Sequence, residues 1–394
     1  MTTEKTSQTI FTKSFWILCV SSVLFMSSFA MVIPELPEYL RNMGGEQYVG
    51  FIIGLFTVSA AFSRLFSGRL ADKVGRIKIV LFGTAVTAIC GGIYIFTTTI
   101  FSFLALRLLH GLATGFRPIG TSALMTDLMP SHRRAEAMGY LGVAGSLGMA
   151  AGPALGSILK EEVSFDAMFI TSSVLGVVAF IMSSMLPETL EEREPLKWSH
   201  FNIFKGQILD FGAMPAFYVT LADSFAFGVV ITMSPMWVDS LGFQYKGFFN
   251  FSFILSSIAT RIFAGRSADR LGRETSILIG FILLIIGVTT IGFADSQFTV
   301  LLGGLIYGLS IGINKPSIFA WTADLASPGK IGMALATMLL ALEIGIGGGS
   351  FISGEIYSGN VEMIPYTFWL AAALSIFGLI YIYVFRKRQK ALKS

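Results

Sequence analysis

The sequence predicts an all-α membrane protein whose twelve transmembrane helices form two related six-helix bundles. Three observations predict it. Of 394 residues, 54% are hydrophobic and only 13% are charged, with a mean hydropathy of +0.72, whereas a water-soluble domain devotes about a quarter of its residues to charge. Apolar stretches of about 20 residues, the length that crosses a bilayer, recur along the whole chain. Residues of the first half also recur in the second at a constant offset of 197 positions.

Inside hydrocarbon every backbone N–H and C=O needs a partner within the protein, so apolar stretches of this length are helices. Twelve are predicted, over 15–40, 48–71, 77–97, 101–129, 134–159, 166–187, 210–238, 246–269, 275–294, 297–325, 330–357 and 363–386. The first follows the polar MTTEKTSQTIFTK and shows no small-residue cleavage site, so it reads as a retained helix. It ends in VIPELPEYL, which carries Glu35 and Glu38.

The second span carries Arg64 and runs into GRLADKVGRIK from Gly68. Gly75 suits a tight turn, Asp72 can face the positive N-terminal end of a neighbouring helix, and Arg76 anchors the loop. The third span holds Cys90 as the first holds Cys19; both lie in apolar sequence and read as buried free thiols. The fourth carries Arg107, in RLLHGLATG, and Arg117. An arginine in hydrocarbon costs several kcal/mol unless it faces a partner or a wet cavity; for Arg107, near the predicted helix end, snorkelling to the interface is the other solution.

In the fifth span, GSLGMAAGPALG places Gly145, Gly148, Gly152 and Gly156 at helical spacing, a bare face that lets a neighbour approach closely. Pro153 removes one backbone bond and permits bending. After the sixth span, PETLEEREPLKWSHFNIFKGQ from Pro187 is the longest polar stretch and lies near mid-chain. It divides the chain into an N-terminal bundle over 1–187, a linker over 188–208 and a C-terminal bundle over 209–394.

The later spans repeat the earlier ones. SRLFSGRLADKVGR from Ser63 matches TRIFAGRSADRLGR from Thr260, pairing Arg64 with Arg261, Gly68 with Gly265, Arg69 with Arg266, Asp72 with Asp269, Gly75 with Gly272 and Arg76 with Arg273. The same offset pairs Asp127 with Asp324, Gly148 with Gly345 and Gly152 with Gly349. The charges left in spans seven, ten and eleven are Asp223, Lys315 and Glu343, while Glu355 lies near a helix end.

Orientation follows the basic residues in short loops. The N-terminus, the even-to-odd loops and the tail hold Lys5, Lys13, Lys73, Arg76, Arg133, Lys205, Arg273 and Lys330, and the opposite loops only Arg41, Lys160 and Lys246. Both termini are therefore expected on the cytoplasmic side of a cell membrane. The net charge of +4 is spread among these segments and forms no nucleic-acid patch. An enzyme needs a nucleophile or metal cluster, and His110, His132 and His200 are too scattered to supply one. No enzymatic activity, cofactor or metal is expected.

GRLADKVGRIK and its second copy from Gly265 resemble the signature of the major facilitator superfamily. The resemblance implies a cytoplasmic lock of Gly68, Arg69, Asp72, Gly75, Arg76 and Asp127, with Gly265, Asp269, Gly272, Arg273 and Asp324 as its second copy. RLLHGLATG is similar to the superfamily pattern of an intramembrane arginine followed by close-packing glycines, and GSLGMAAGPALG resembles the glycine-proline pattern of its exporters and antiporters, which points Gly148, Gly152, Pro153 and Gly156 toward outward transport; pure helix packing also accounts for them. VIPELPEYL and the segment from Gly111 to Leu141 resemble the twelve-helix, proton-driven drug exporters. The chain departs from that branch at Glu35, Glu38 and Arg117, where charge argues against a purely apolar substrate.

Proton coupling needs a carboxylate whose ionisation changes as the site switches sides. Asp223 and Glu343 are the first candidates and Glu35 the third. Arg117 and Lys315, one residue from repeat equivalence, either flank the central axis and favour an anionic or zwitterionic small-molecule solute, or pair with Glu35, Asp223 or Glu343. The expected activity is alternating-access efflux of a small organic solute against protons, by a monomer in the lipid bilayer; proton-driven uptake of a sugar or organic acid is the alternative.

Overall fold

The computed structural model describes residues 10–130, 133–201, 209–328 and 330–393, without the side chains at 135, 199, 262–270 and 390–393. Lys5, His132 and Lys205, the surroundings of Gly265, and the side chains of Arg266 and Asp269 lie outside the described residues.

The helices are α1 (Lys13–Met31), α2 (Leu36–Asn42), α3 (Val49–Lys73), α4 (Arg76–Ile93), α5 (Ile100–Leu128), α6 (Arg134–Glu162), α7 (Phe165–Ser184), α8 (Met214–Ser240), α9 (Gly247–Leu271), α10 (Arg273–Gly292), α11 (Gln297–Leu325), α12 (Ile331–Tyr357) and α13 (Ile364–Lys393). Together α1 and α2 are the first predicted span, broken at Pro34, which has no N–H to continue the ladder. The helices α3 to α13 are spans two to twelve. Among the described residues, ten spans are long and apolar enough to cross a membrane. The other two are α5, 29 residues long with Arg107, His110 and Arg117 in it, and α9, of 25 residues. Large apolar side chains such as Phe62, Ile89, Phe101, Ile181 and Phe377 are exposed on the outer faces. Water would penalise such a girdle; acyl chains match it.

Local chemistry sets the ends. Thr99 and Ser296, repeat mates, each accept a backbone N–H at the start of α5 and α11. Gly75 and Gly272, also mates, turn the chain between α3 and α4 and between α9 and α10 at φ of 138° and 85°, a region that favours glycine.

Packing repeats as the sequence does. In the first half α1 packs on α6 and α7, α5 on α3 and α4, and α4 on α7; in the second α8 packs on α12 and α13, α11 on α9 and α10, and α10 on α13. These are two six-helix bundles related by a pseudo-two-fold. They meet along two equivalent seams, α3 with α12 and α6 with α9. Closest approach falls at another pair of mates: a Cβ on Gly50 would collide with Ser350 and Gly354 of α12, and one on Gly247 with the Pro153 carbonyl of α6.

Candidate functional site

The turns between α3 and α4 and between α9 and α10 share one face, here the basic face. Arg76 donates to Asp72 (2.8 Å) and Asp127 (3.1 Å), and its backbone N–H donates to Glu188 (3.0 Å). The carboxylate facing a helix N-terminus is thus Glu188, which also accepts from the Ile77 N–H, while Asp72 pairs with Arg76 and is largely exposed. Gly68 leaves open space around its missing side chain, and Arg69 reaches the His200 carbonyl at 3.5 Å. In the second copy Arg273 lies 3.6 Å from Asp324. The segment after α7 docks on the first bundle, where Glu194 meets Lys73 at 2.8 Å and His200 at 3.2 Å. Those two hydrogen bonds hold the Glu194 carboxyl below its ordinary range.

At the opposite face charges bridge the bundles. Lys246, preceding α9, contacts Glu38, Glu35 (3.7 Å) and Asp239 (3.5 Å), and Lys160 on α6 contacts Glu38 (2.6 Å) and Glu161 (2.7 Å). Ser157 donates to Glu35 and accepts from the Gly247 N–H at 2.7 Å. Arg41 pairs with Glu46 at 3.4 Å, and the Tyr357 hydroxyl donates to Glu46 at 2.6 Å. Glu35, Glu38 and Glu161 bring carboxylate oxygens together as a cation site would, and the lysine ammoniums lie among them. The two buried charges, Glu35 and Lys246, come from opposite bundles and compensate each other together with Glu38 and Asp239.

Between the bundles, on the basic-face side of this network, lies a cleft of about 390 Å³. Its walls include Ser22 and Met26 of α1, Arg117 and Thr121 of α5, Met138 to Met149 of α6, and Phe253 to Arg261 of α9. Arg117 is buried; its nitrogens donate to Thr84 (2.9 Å), Ser21 (3.1 Å) and Ser22 (3.5 Å), and it stacks over Phe25. Among the described residues it has no carboxylate partner. Lys315 instead pairs with Asp223 at 2.8 Å, and Asn314, the repeat mate of Arg117, donates to the other oxygen at 2.9 Å. Of the two cations expected near the axis, one is therefore neutralised and one is not. Glu343 accepts from Arg64 at 2.8 Å across the α3 and α12 seam.

Arg107 does not snorkel. Fully buried, it donates to the Ile52 carbonyl (2.9 Å) and the Tyr94 hydroxyl (3.2 Å) and lies over the Phe56 ring. Its place inside the first bundle separates it from Arg117 and the cleft. Gly148, Gly152 and Gly156 set α6 against the α1 backbone at Val23, Ser27 and Met31, whereas Gly145 makes no close approach. Gly345 and Gly349 set α12 against α8 in the same way.

Sequence reasoning treated Lys160 and Lys246 as loop charges and did not anticipate Glu188. Both results depend on which helices become neighbours. The one available signal was that Glu38, Lys160 and Lys246 fall at predicted span ends of the same face.

Comparison with known proteins agrees with the architecture. The chain is 22% identical over 392 residues to the quinolone resistance protein NorA of Staphylococcus aureus, covering 97% of this chain and 99% of that one. It is 24% identical over 398 residues to the class H tetracycline resistance protein of Pasteurella multocida, with 97% and 98% covered. Among solved structures it superposes on a D-xylose-proton symporter with a TM-score of 0.77 at 14% identity, over 94% of this chain and 96% of that one. The family description titled Major Facilitator Superfamily matches residues 18–260 and 216–394. With the duplicated turn motif, the paired bundles and a match in each half, the chain belongs to the Major Facilitator Superfamily of membrane transporters.

Proposed function

We propose that the chain is a proton-coupled exporter that exchanges a small organic solute for protons by alternating access. One observation carries the reading: a central cleft lined by a buried, uncompensated arginine, with an ion network joining the bundles across the opposite face. Such a molecule accepts solute from the basic face and releases it opposite when the network opens. Taking the basic face as cytoplasmic, with residues 1–187 and 209–394 as the rocking units and 188–208 as their linker, transport runs outward. The two relatives named for drug resistance, matched end to end, favour that direction.

Coupling falls to Asp223 and Glu343. Each carboxylate is buried against a cation, Lys315 or Arg64, and exchanges that partner for a proton as the bundles move. Glu35, tied into the opposite-face network, serves closure. Arg117 favours a solute bearing negative charge, anionic or zwitterionic. A monomer is the proposed working unit.

Reconstituted vesicles with an imposed pH gradient test this. An acidic lumen is expected to drive solute inward, and no drive in a panel of cationic drugs, sugars and organic acids contradicts antiport. The fold is shared with a D-xylose-proton symporter, so uptake is the second reading, and solute moving with the proton gradient supports it.

A further inference from the structure

The pseudo-two-fold relates the charges of the two halves as well as their helices, and in one place it breaks. Arg64 on α3 reaches Glu343 on α12 at 2.8 Å and closes one seam with an ion pair. Its mate Arg261, on α9, reaches across the other seam to α6 at the position equivalent to Glu343. The residue there is Ser146, which accepts a hydrogen bond from the guanidinium at 3.3 Å. A hydroxyl supplies an acceptor and no charge. Among the described residues no carboxylate pairs with Arg261, and its buried Nε has no hydrogen-bond partner.

Arg261, Ser146 and Arg117 all line the cleft. Among the described residues no carboxylate faces either guanidinium in this confined space, so each is short of the charge that offsets its desolvation. Much of the remaining wall is apolar, with Met26, Met138, Leu141, Met149, Phe227 and Phe253. This combination recognises a molecule with an apolar body and an acidic end.

We infer that the transported solute is an amphiphilic organic anion whose acid group docks between Arg261 and Ser146, in place of the carboxylate that the other seam carries as Glu343. Its body lies along the methionine and phenylalanine wall, and Arg117 receives a second acidic or polar acceptor. A bound acid braces α6 against α9 as Glu343 braces α12 against α3, so occupancy of the cleft is linked to bundle geometry. The inference rests on the reading of the chain as a transporter with a central cleft and adds the seat and the class of its solute.

The test is calorimetric titration of the full chain in lipid nanodiscs with 1-naphthoate, 1-naphthylmethylammonium and 2-naphthol. Naphthoate is expected to bind at least about tenfold more tightly than the other two. Arg261→Gln should weaken naphthoate binding by about tenfold or more. Ser146→Glu, which installs the missing carboxylate, should weaken it as much while leaving the thermal unfolding midpoint at or above that of the parent. That second variant separates loss of the seat from loss of the fold. Absence of naphthoate binding to the parent chain, equal affinity for anion and cation, or parental affinity in both variants overturns the inference. If it falls while vesicles still exchange a solute for protons, the exporter reading stands; if the seat holds without proton-driven exchange, the exporter reading falls alone.

Discussion

Arg64 donates to Glu343 at 2.8 Å from the opposite bundle, so a single ion pair reports whether the α3 and α12 seam is closed. Glu343→Gln keeps the shape and removes the charge. Proton-driven exchange in vesicles is expected to fall by about tenfold or more, while exchange of labelled for unlabelled solute without a pH gradient persists. Unchanged coupling excludes Glu343 as a proton carrier.

Asp223 holds Lys315 at 2.8 Å and accepts from Asn314 at 2.9 Å within the second bundle. Asp223→Asn leaves the lysine unpaired and should cost about 2–4 kcal/mol of stability. Asp223→Asn with Lys315→Met removes both charges and should restore most of that. Thermal unfolding of the two variants in detergent measures the difference; equal loss in both contradicts a mutual pair.

The opposite-face network predicts a shift of conformational population. Lys246→Gln removes the cation shared by Glu35, Glu38 and Asp239. Spin labels at the exposed Gln47 and Gln244, one per bundle, should report longer distances in the variant than in the parent chain. Identical distance distributions refute a closing role.

Glu194 gives a pH dependence outside the membrane. Its folded value lies below the ordinary 4.5, through hydrogen bonds from Lys73 and then His200. The docking stabilisation is therefore complete above that ordinary value and is lost as pH falls through the lower folded one. Hydrogen exchange over residues 188–201 should rise on acidification below 4.5, and Glu194→Gln should produce the same rise at neutral pH.

Within the α6 glycine run, position decides the cost. A Cβ at Gly152 falls on the Ser27 backbone, whereas one at Gly145 meets only Met26 at 4.0 Å. Gly152→Ala should destabilise by about 1–3 kcal/mol. Gly145→Ala should be neutral or slightly stabilising, since alanine is the better helix former. Thermal unfolding of the two variants compares them directly.

The helices were legible in the sequence because hydropathy and the length of a bilayer crossing are local properties. The pseudo-two-fold was legible because Arg64 and Arg261, or Gly75 and Gly272, are identical at one offset. Partnerships were less so. Arg107 lies near a predicted helix end, and only the packing of α3 and α4 around α5 supplies the Ile52 carbonyl and Tyr94 that keep it buried. Glu188 reaches the start of α4 from far along the chain, and no local pattern marks it. The contrast between Glu343 and Ser146 was written at the repeat offset, but a search for matching residues passes over a mismatch.

At Gly50 and Gly247 the bundles touch main chain to main chain. A barrier made of peptide groups has no rotamer that can swing aside, so thermal motion opens no intermittent path for water or small ions there. The two glycines thereby add a rigid part to the closure that the ion network beside them makes with side chains, and Gly50→Ala or Gly247→Ala should raise proton leak in solute-free vesicles before it abolishes transport.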